Sequence, residues 1–491
     1  MSLVDITLHE AADKLAAGEV TSKELCEALL SRIEEVEEKV GALVSIDDEK
    51  VISAAEESDK RRAEGNAIGR YDGLPITIKD NIVEKGDEAR CSSSILNGLE
   101  NVYDSTVVSK MKEAGCIVFG RANMDEFAMG STTESSQIKK TSNPHNLDCV
   151  PGGSSGGSAA GVASKEFLGA LGSDTGGSIR QPASFCGIVG MKPTYGTVSR
   201  FGLIAFASSL DQIGPMTKDV QDSALILDII NGEDPKDSTA LPGKVTDYEA
   251  SLEGASFAGM KVGIPKEYFE VDGMEAGVKA RVEEAIEKIK EQGAQIVEVS
   301  LPHTKYAIAT YYVIATAEAC TNLARFEGVR YGNRKADYGK KDAMIEMYKQ
   351  TRSEGFGPEV QRRIMLGTYV LSSYEEHKYY HRAQKVRTLI RQDFEKAFEQ
   401  CDVIVSPVSP ETAFESGTGS DDPVKLYLAD ILTTSANLAG ICGISVPCGE
   451  DEKGMPVGLQ IMGPALGEKA ILKAAYAYEQ NSGLTLKEAE L

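Results

Sequence analysis

Near the amino terminus, apolar residues recur at helical spacing, with Leu25, Leu29, Ile33, Val36 and Val40 on one face. Thr21-x-x-Glu24 just ahead of them has the form of a capping box, in which each side chain satisfies a backbone N–H of the first turn, so a helix is predicted to open there. The acidic run Glu34, Glu35, Glu37 and Glu38 reads as its solvated face. From about Tyr71 the pattern changes. Leu74-Pro75-Ile76-Thr77-Ile78, Cys116-Ile117-Val118-Phe119 and Val403-Ile404-Val405 have the length and β-branching of buried strands. Val107, Val108 and Met111 supply a short helical face ahead of Cys116. Strands alternating with helices imply an α/β layer architecture.

Residues 130–215 hold the densest Gly, Ser and Thr usage and little helical periodicity. A second helical region, roughly 275–400, is rich in Tyr, Lys and Arg, and the run from Glu415 to Pro423 reads as an exposed loop. There is no tandem repeat and no low-complexity linker, which favours one large domain over a string of separate ones. Within it we distinguish an N-terminal helical arm (1–60), a core (61–230) and the later helical region (275–400).

Charge narrows the function. The 491 residues carry 52 Lys and Arg against 75 Asp and Glu, a net charge of −23. Phosphate backbones and anionic leaflets are gripped by clustered cations, so this chain alone is not expected to hold nucleic acid or to dock on a membrane. No apolar run approaches the roughly 20 residues that span a bilayer. The start, Met1-Ser2-Leu3-Val4-Asp5, lacks the basic and apolar regions of a signal peptide. Nine cysteines are scattered singly with no Cys-x-x-Cys, which argues against a disulfide framework or a zinc knuckle and points to a reducing cytoplasm. No metal site is expected.

The candidate chemistry sits in two Gly/Ser segments, Pro151-Gly152-Gly153-Ser154-Ser155-Gly156-Gly157-Ser158 and Gly172-Ser173-Asp174-Thr175-Gly176-Gly177-Ser178-Ile179-Arg180. The first contains G-x-S-x-G, but a nucleophile elbow follows an apolar strand, and Asn143-Pro144-His145-Asn146-Leu147-Asp148 stands there instead. Only His9, His145, His303, His377 and His381 are available to complete a Ser-Asp-His triad. Neither segment ends in the Gly-Lys-Ser/Thr of a phosphate-binding loop. Asp174-Thr175-Gly176 has no second Asp-Thr-Gly or Asp-Ser-Gly with which to share a proton. A serine without histidine still needs a base, and a lysine serves if burial lowers its pKa from about 10.4 toward neutrality. Lys79, at the end of Ile76-Thr77-Ile78, stands where burial would remove its water; taken alone, it reads better as a strand-terminal surface lysine.

Taken together, the two Gly/Ser segments and Lys79 resemble the amidase-signature family. The likeness continues through Phe185-Cys186-Gly187, Lys192-Pro193-Thr194-Tyr195-Gly196, Phe201-Gly202-Leu203-Ile204 and Ser209-Leu210-Asp211-Gln212-Ile213-Gly214-Pro215. Arg121-Ala122-Asn123-Met124-Asp125-Glu126-Phe127-Ala128-Met129-Gly130-Ser131, the stretch from Arg325 to Gly332 and that from Arg362 to Thr368 resemble its glutamine-hydrolysing branch, over nearly the whole chain.

That resemblance implies an α/β fold with a central mixed β-sheet covered by helices on both faces. It implies a triad of Ser178 as nucleophile, Ser154 as relay behind a cis peptide bond, and Lys79 as base. Backbone N–H groups of Thr175, Gly176, Gly177 and Ser178 would form the oxyanion hole. Arg363 would take the α-carboxylate of glutamine, Asp430 its ammonium, and Tyr311 a further contact, with Arg362, Tyr312, Asp421 and Asp422 as neighbouring alternatives. Asp174 and Arg180 read as braces and Cys186 as core. The branch works as the glutaminase member of a heterotrimer. One partner holds tRNA and uses ATP and Mg²⁺, a small third member wraps the interface, and this chain needs no cofactor of its own. A stand-alone amidase acting on small amides and a scaffold with a dead site are the competing expectations.

Overall fold

The computed structural model describes residues 2–243, 247–335, 343–372, 378–418 and 427–491. Eleven strands form one sheet: β1 (Leu43–Ser45), β2 (Pro75–Lys79), β3 (Ile117–Ala122), β4 (Gly169–Asp174), β5 (Val189–Lys192), β6 (Gln212–Thr217), β7 (Lys261–Pro265), β8 (Gln295–Val299), β9 (Val403–Pro407), β10 (Cys442–Glu450) and β11 (Pro456–Gly463). Their order is β1-β3-β2-β4-β6-β5-β10-β11-β9-β7-β8. The sheet is mixed. β3, β2 and β4 run parallel, as do β9, β7 and β8, and the strands between them pair antiparallel.

Strand alternation sends successive side chains to opposite faces, and both faces here are apolar. Val403 and Val405 join one core cluster and Ile404 the other; Ile461 and Met462 divide the same way. The first cluster is completed by the helices Ser22–Val40, Val220–Ile230, Ala276–Glu291 and Glu468–Asn481. The second is completed by Ala307–Asn322, Pro358–Val370, Tyr380–Phe398 and Thr434–Ala439. Helices therefore cover both faces.

The N-terminal helix forms as predicted, with a reciprocal Thr21–Glu24 capping box and Leu25, Leu29, Ile33, Val36 and Val40 all buried. Glu37 departs from the solvated face: it accepts from the backbone N–H of Ala42 and Leu43 and pairs with Lys139. It thus closes the turn into β1. The region 275–400 is not purely helical, because β-branched Ile296, Val297 and Val299 place β8 at the sheet edge. Residues 415–418 are largely exposed, as expected of the loop there, and the rest of Glu415–Pro423 lies outside the described residues.

Leu29 is fully buried in the first cluster, so the N-terminal arm shares its core with the sheet. Leu29→Ala is expected to destabilise the protein by about 2–5 kcal/mol, through lost burial and the cavity left behind. Denaturant unfolding measures this. A change below the error of the fit would mean that the arm is not part of the cooperative core.

Candidate active site

β2 and β4 are parallel neighbours, with Thr77 opposite Ala170 and Ile78 opposite Leu171, so their carboxyl ends open onto one edge. In open α/β sheets that edge is where ligands bind. Lys79 ends β2, and Ser173 is the penultimate residue of β4. The loop through Ser154 and Ser155 leads into the helix Gly156–Ala163, which packs across both strands. Ser178 lies in the loop between β4 and the helix Arg180–Phe185.

Lys79 is fully buried. Its Nζ lies 2.8 Å from Ser154 Oγ, 2.8 Å from Ser155 Oγ, 3.0 Å from Ser173 Oγ and 3.3 Å from the Ser173 carbonyl oxygen. Burial pushes the ammonium down to about 7, although Asp125 and Asp174 pull the other way. An amine near neutrality within hydrogen-bond reach of a serine is poised as a base. The Gly153–Ser154 peptide bond is cis.

Ser178 is 5% exposed, and its hydroxyl bonds to none of the described residues. The N–H groups of Thr175, Gly176 and Ser178 likewise donate to no described residue. Gly177 departs from the four-donor expectation. Its N–H donates to Asp174 Oδ1 at 2.8 Å, which leaves three donors for a developing oxyanion. Gly177 has φ +143°, a conformation that favours glycine, so the turn there depends on it.

Asp174 and Arg180 brace this loop. Their fully buried pair is bidentate, at 3.1 and 3.2 Å, and Arg180 also reaches Gln460 Oε1, Asn437 Oδ1 and the Thr433 carbonyl. Burial acts to raise the Asp174 carboxyl, but the charge and hydrogen bonds of Arg180 more than offset it and hold it at about 2.

Two of the other expected residues, Tyr311 and Asp430, converge on the same loop. The Tyr311 ring lies against Gly176, where an added Cβ would stand 2.8 Å from Cζ. Asp430 lies against Gly177, its Oδ1 3.2 Å from where a Cβ would stand. Asp430 Oδ2 accepts from Ser131 Oγ at 2.5 Å, whereas Oδ1 is buried without a partner among the described residues. Burial pushes this carboxyl up to about 7, against the hydrogen bond from Ser131. Arg363 is buried, its Nε donating to Glu359 at 2.7 Å and its guanidinium 5.3–5.7 Å from the rings of Tyr312, Phe206 and Tyr427. A cleft of about 340 Å³ opens beside it, lined in part by Ser131, Arg363 and Tyr427.

Burial separates the alternatives. Arg362 faces solvent on Glu359, while Tyr312 packs on Arg363. Asp421 and Asp422 lie outside the described residues, as does His377. Among the described histidines none bonds to Ser154 or Ser178; His145 pairs with the Cys186 carbonyl. Cys186 is buried core, its thiol turned to the Pro151 carbonyl. Sequence reasoning assigned no role to Ser155, Ser173, Asp125 or Ser131. Ser155 and Ser173 stood in the Gly/Ser segments, but which serines converge on an amine is set by chain packing.

The Amidase family profile matches residues 24–472. The A subunit of the glutamyl-tRNA(Gln) amidotransferase of Geotalea daltonii is 51% identical over 491 residues, covering all of both chains, and that of Halothermothrix orenii is 53% identical over 492, again covering both in full. Among solved structures, the A subunit of the glutamyl-tRNA(Gln) amidotransferase of Thermotoga maritima superposes with a TM-score of 0.82 at 42% identity, covering 100% of this chain and 99% of that one. The native peptide amidase of Stenotrophomonas maltophilia superposes with a TM-score of 0.83 at 27% identity, covering 99% and 98%.

Because Lys79 must be neutral to accept a proton, amide hydrolysis at this site should be lost as pH falls through about 7 and reach a plateau above it. Butyramide carries no titrating group, so its kcat/KM between pH 5 and 9 reports the protein alone. A flat profile would remove Lys79 as the base.

Proposed function

The chain belongs to the amidase family, and on that footing we propose that it is the glutamine-hydrolysing subunit of a glutamyl-tRNA(Gln) amidotransferase, a carbon–nitrogen ligase with glutamine as amido donor. Neutral Lys79 draws the proton of Ser154, which takes that of Ser178 as the Ser178 oxygen attacks the side-chain carboxamide. The carbonyl oxygen becomes an oxyanion facing the N–H groups of Thr175, Gly176 and Ser178. When the intermediate collapses, the C–N bond breaks and ammonia leaves with the proton returned along the relay. Water then cleaves the γ-glutamyl ester by the same route, giving glutamate and free Ser178.

The observation that carries glutamine over a simple amide is the Asp430 carboxylate oxygen buried beside the nucleophile loop with no partner among the described residues. A buried acceptor without a partner costs free energy until a donor arrives, and an ammonium is the donor that best matches a carboxylate. Arg363 lines the adjoining cleft, where it would pair with the α-carboxylate. Tyr311 would close the site over Gly176.

The ammonia is consumed elsewhere. We assign tRNA binding, and the use of ATP and Mg²⁺ to activate the mischarged glutamate, to a second member of a heterotrimer, with a small third member at the interface. A net charge of −23 on this chain supports that division, since a tRNA backbone calls for clustered cations. The full-length likeness to amidotransferase A subunits supports it too.

Ser178→Ala should abolish ammonia release from glutamine by the complex while leaving its melting temperature unchanged; near-normal release would overturn the assignment. Asp430→Ala should raise KM for glutamine about ten- to a hundredfold, the worth of a charge-assisted hydrogen bond, with little change for butyramide. Equal effects on both substrates, or vigorous amide hydrolysis by the lone chain that is indifferent to partners and tRNA, would favour the stand-alone amidase.

A further inference from the structure

Glu126 is 1% exposed and belongs to none of the catalytic groups above. Its carboxylate reaches the start of the helix Pro358–Val370. Oε2 accepts from the Gly357 backbone N–H at 2.9 Å; Oε1 accepts from Gln137 Nε2 at 2.7 Å and from the Ser93 hydroxyl. Gly357 is the N-cap residue of that helix, and a Cβ there would run into Glu126 Oε2, so glycine is what allows the approach. Six residues further on, about 9 Å along the axis at 1.5 Å per residue, the same helix presents Arg363.

The preceding residue does the corresponding work on the other side. Asp125 accepts from the N–H groups of Thr132, Thr133 and Ser135 and from the Ser135 hydroxyl, at 2.8–3.3 Å. These bonds hold the loop from which Ser131 reaches Asp430. Two consecutive buried carboxylates thus anchor the two supports of the pocket, one the loop beside Asp430 and the other the helix beneath Arg363.

We propose that Glu126 is the positioning residue of the substrate pocket: by tying the first turn of the Pro358–Val370 helix to the core it sets the place of the Arg363 guanidinium. This rests on Arg363 holding the glutamine carboxylate. Glu126 touches no reacting atom, so its loss acts on glutamine binding and not on amide cleavage. A displacement of about 1 Å at a positioning group can cost a hundredfold, so a loosened helix is felt even though Arg363 itself is retained.

The test uses the complex with its partner chains and compares glutamine with butyramide, which has no α-carboxylate. Glu126→Ala is expected to raise KM for glutamine by about tenfold or more, while kcat for glutamine and kcat/KM for butyramide change by less than about threefold. Gly357→Ala attacks the same contact from the helix side and should reproduce the split, so the test survives if Glu126→Ala folds poorly. Glu126→Gln keeps an acceptor for the Gly357 N–H, and the Ser93 hydroxyl can turn to accept from its amide, so it should restore much of the affinity. Equal losses on both substrates, or an unchanged KM for glutamine in both alanine variants, would overturn the proposal. Arg363→Ala in the same assay separates the two levels. If it raises KM for glutamine and the Glu126 and Gly357 variants do not, the positioning role alone fails. If it leaves that KM unchanged, the glutamine reading fails and the positioning role with it.

Discussion

The desolvation of one amine governs the rest of this structure. A lysine at the end of a buried strand loses the water that stabilises its charge, and burial brings Lys79 to about 7 only because the surrounding carboxylates do not fully restore that charge. Around it stand neutral hydroxyls, from Ser154, Ser155 and Ser173, which hydrogen-bond the amine without charging it. The carboxylates nearby are committed elsewhere: Asp174 is paired with Arg180, and Asp125 accepts from four donors in its own loop. A carboxylate turned onto Lys79 would keep it protonated and useless as a base. The site therefore needs buried charge close by that is structurally occupied, and both Asp174 and Asp125 meet that need.

The same committed charges shape the reacting surface. Asp174 accepts from Gly177 and Ile179 as well as from Arg180, so a single carboxylate orients the loop that bears Ser178. That loop's remaining N–H groups, at Thr175, Gly176 and Ser178, are left without partners among the described residues. From the other side, Thr433 and Thr434 donate to the Gly176 carbonyl, and Asp430 precedes them by one helical turn. The segment that carries the ammonium candidate is thereby fastened to the segment that carries the nucleophile. Asp430 and Ser178 hold their spacing through these threonine hydroxyls on a backbone carbonyl, without a direct side-chain bond between them.

What was legible in the sequence follows the same physics. Long apolar patterns announced themselves: β2, β3 and β9 fall within three residues of the apolar runs that predict them, and the capped helix Ser22–Val40 begins at its capping box. β4, Gly-Ala-Leu-Gly-Ser-Asp, is buried along its whole length, the helix Gly156–Ala163 is buried through Val162, and both are built mostly of small residues, so neither presents an alternation or a stripe to read. Their small side chains are what allow backbones to crowd around Lys79, which made the catalytic centre the least patterned part of the chain. The triad residues were named through family resemblance. The partnership of Lys79 with Ser155 and Ser173, and the diversion of the Gly177 N–H to Asp174, depend on how segments far apart in sequence meet, and no local spacing records them.

Fold alone does not choose among the activities this architecture serves, because relatives with different substrates share it across nearly their whole length. Lys79, Ser154 and Ser178 sit at the carboxyl edge of the parallel strands, where the backbone dictates their placement and any amide could be cleaved. In the function proposed above, selectivity would come from later segments laid over that edge: Tyr311 from one helix, Arg363 from another, Asp430 from the turn before a third. Each is carried on an element packed in the second core cluster, separate from the cluster beneath the N-terminal helix. Such an arrangement lets substrate recognition change while the desolvated lysine and its braces stay as they are. The cost is that the recognition helices must be pinned back onto the catalytic core from outside the sheet, and buried polar groups such as Glu126, reaching from the core to a helix start, are the means by which a helix acquires a fixed position.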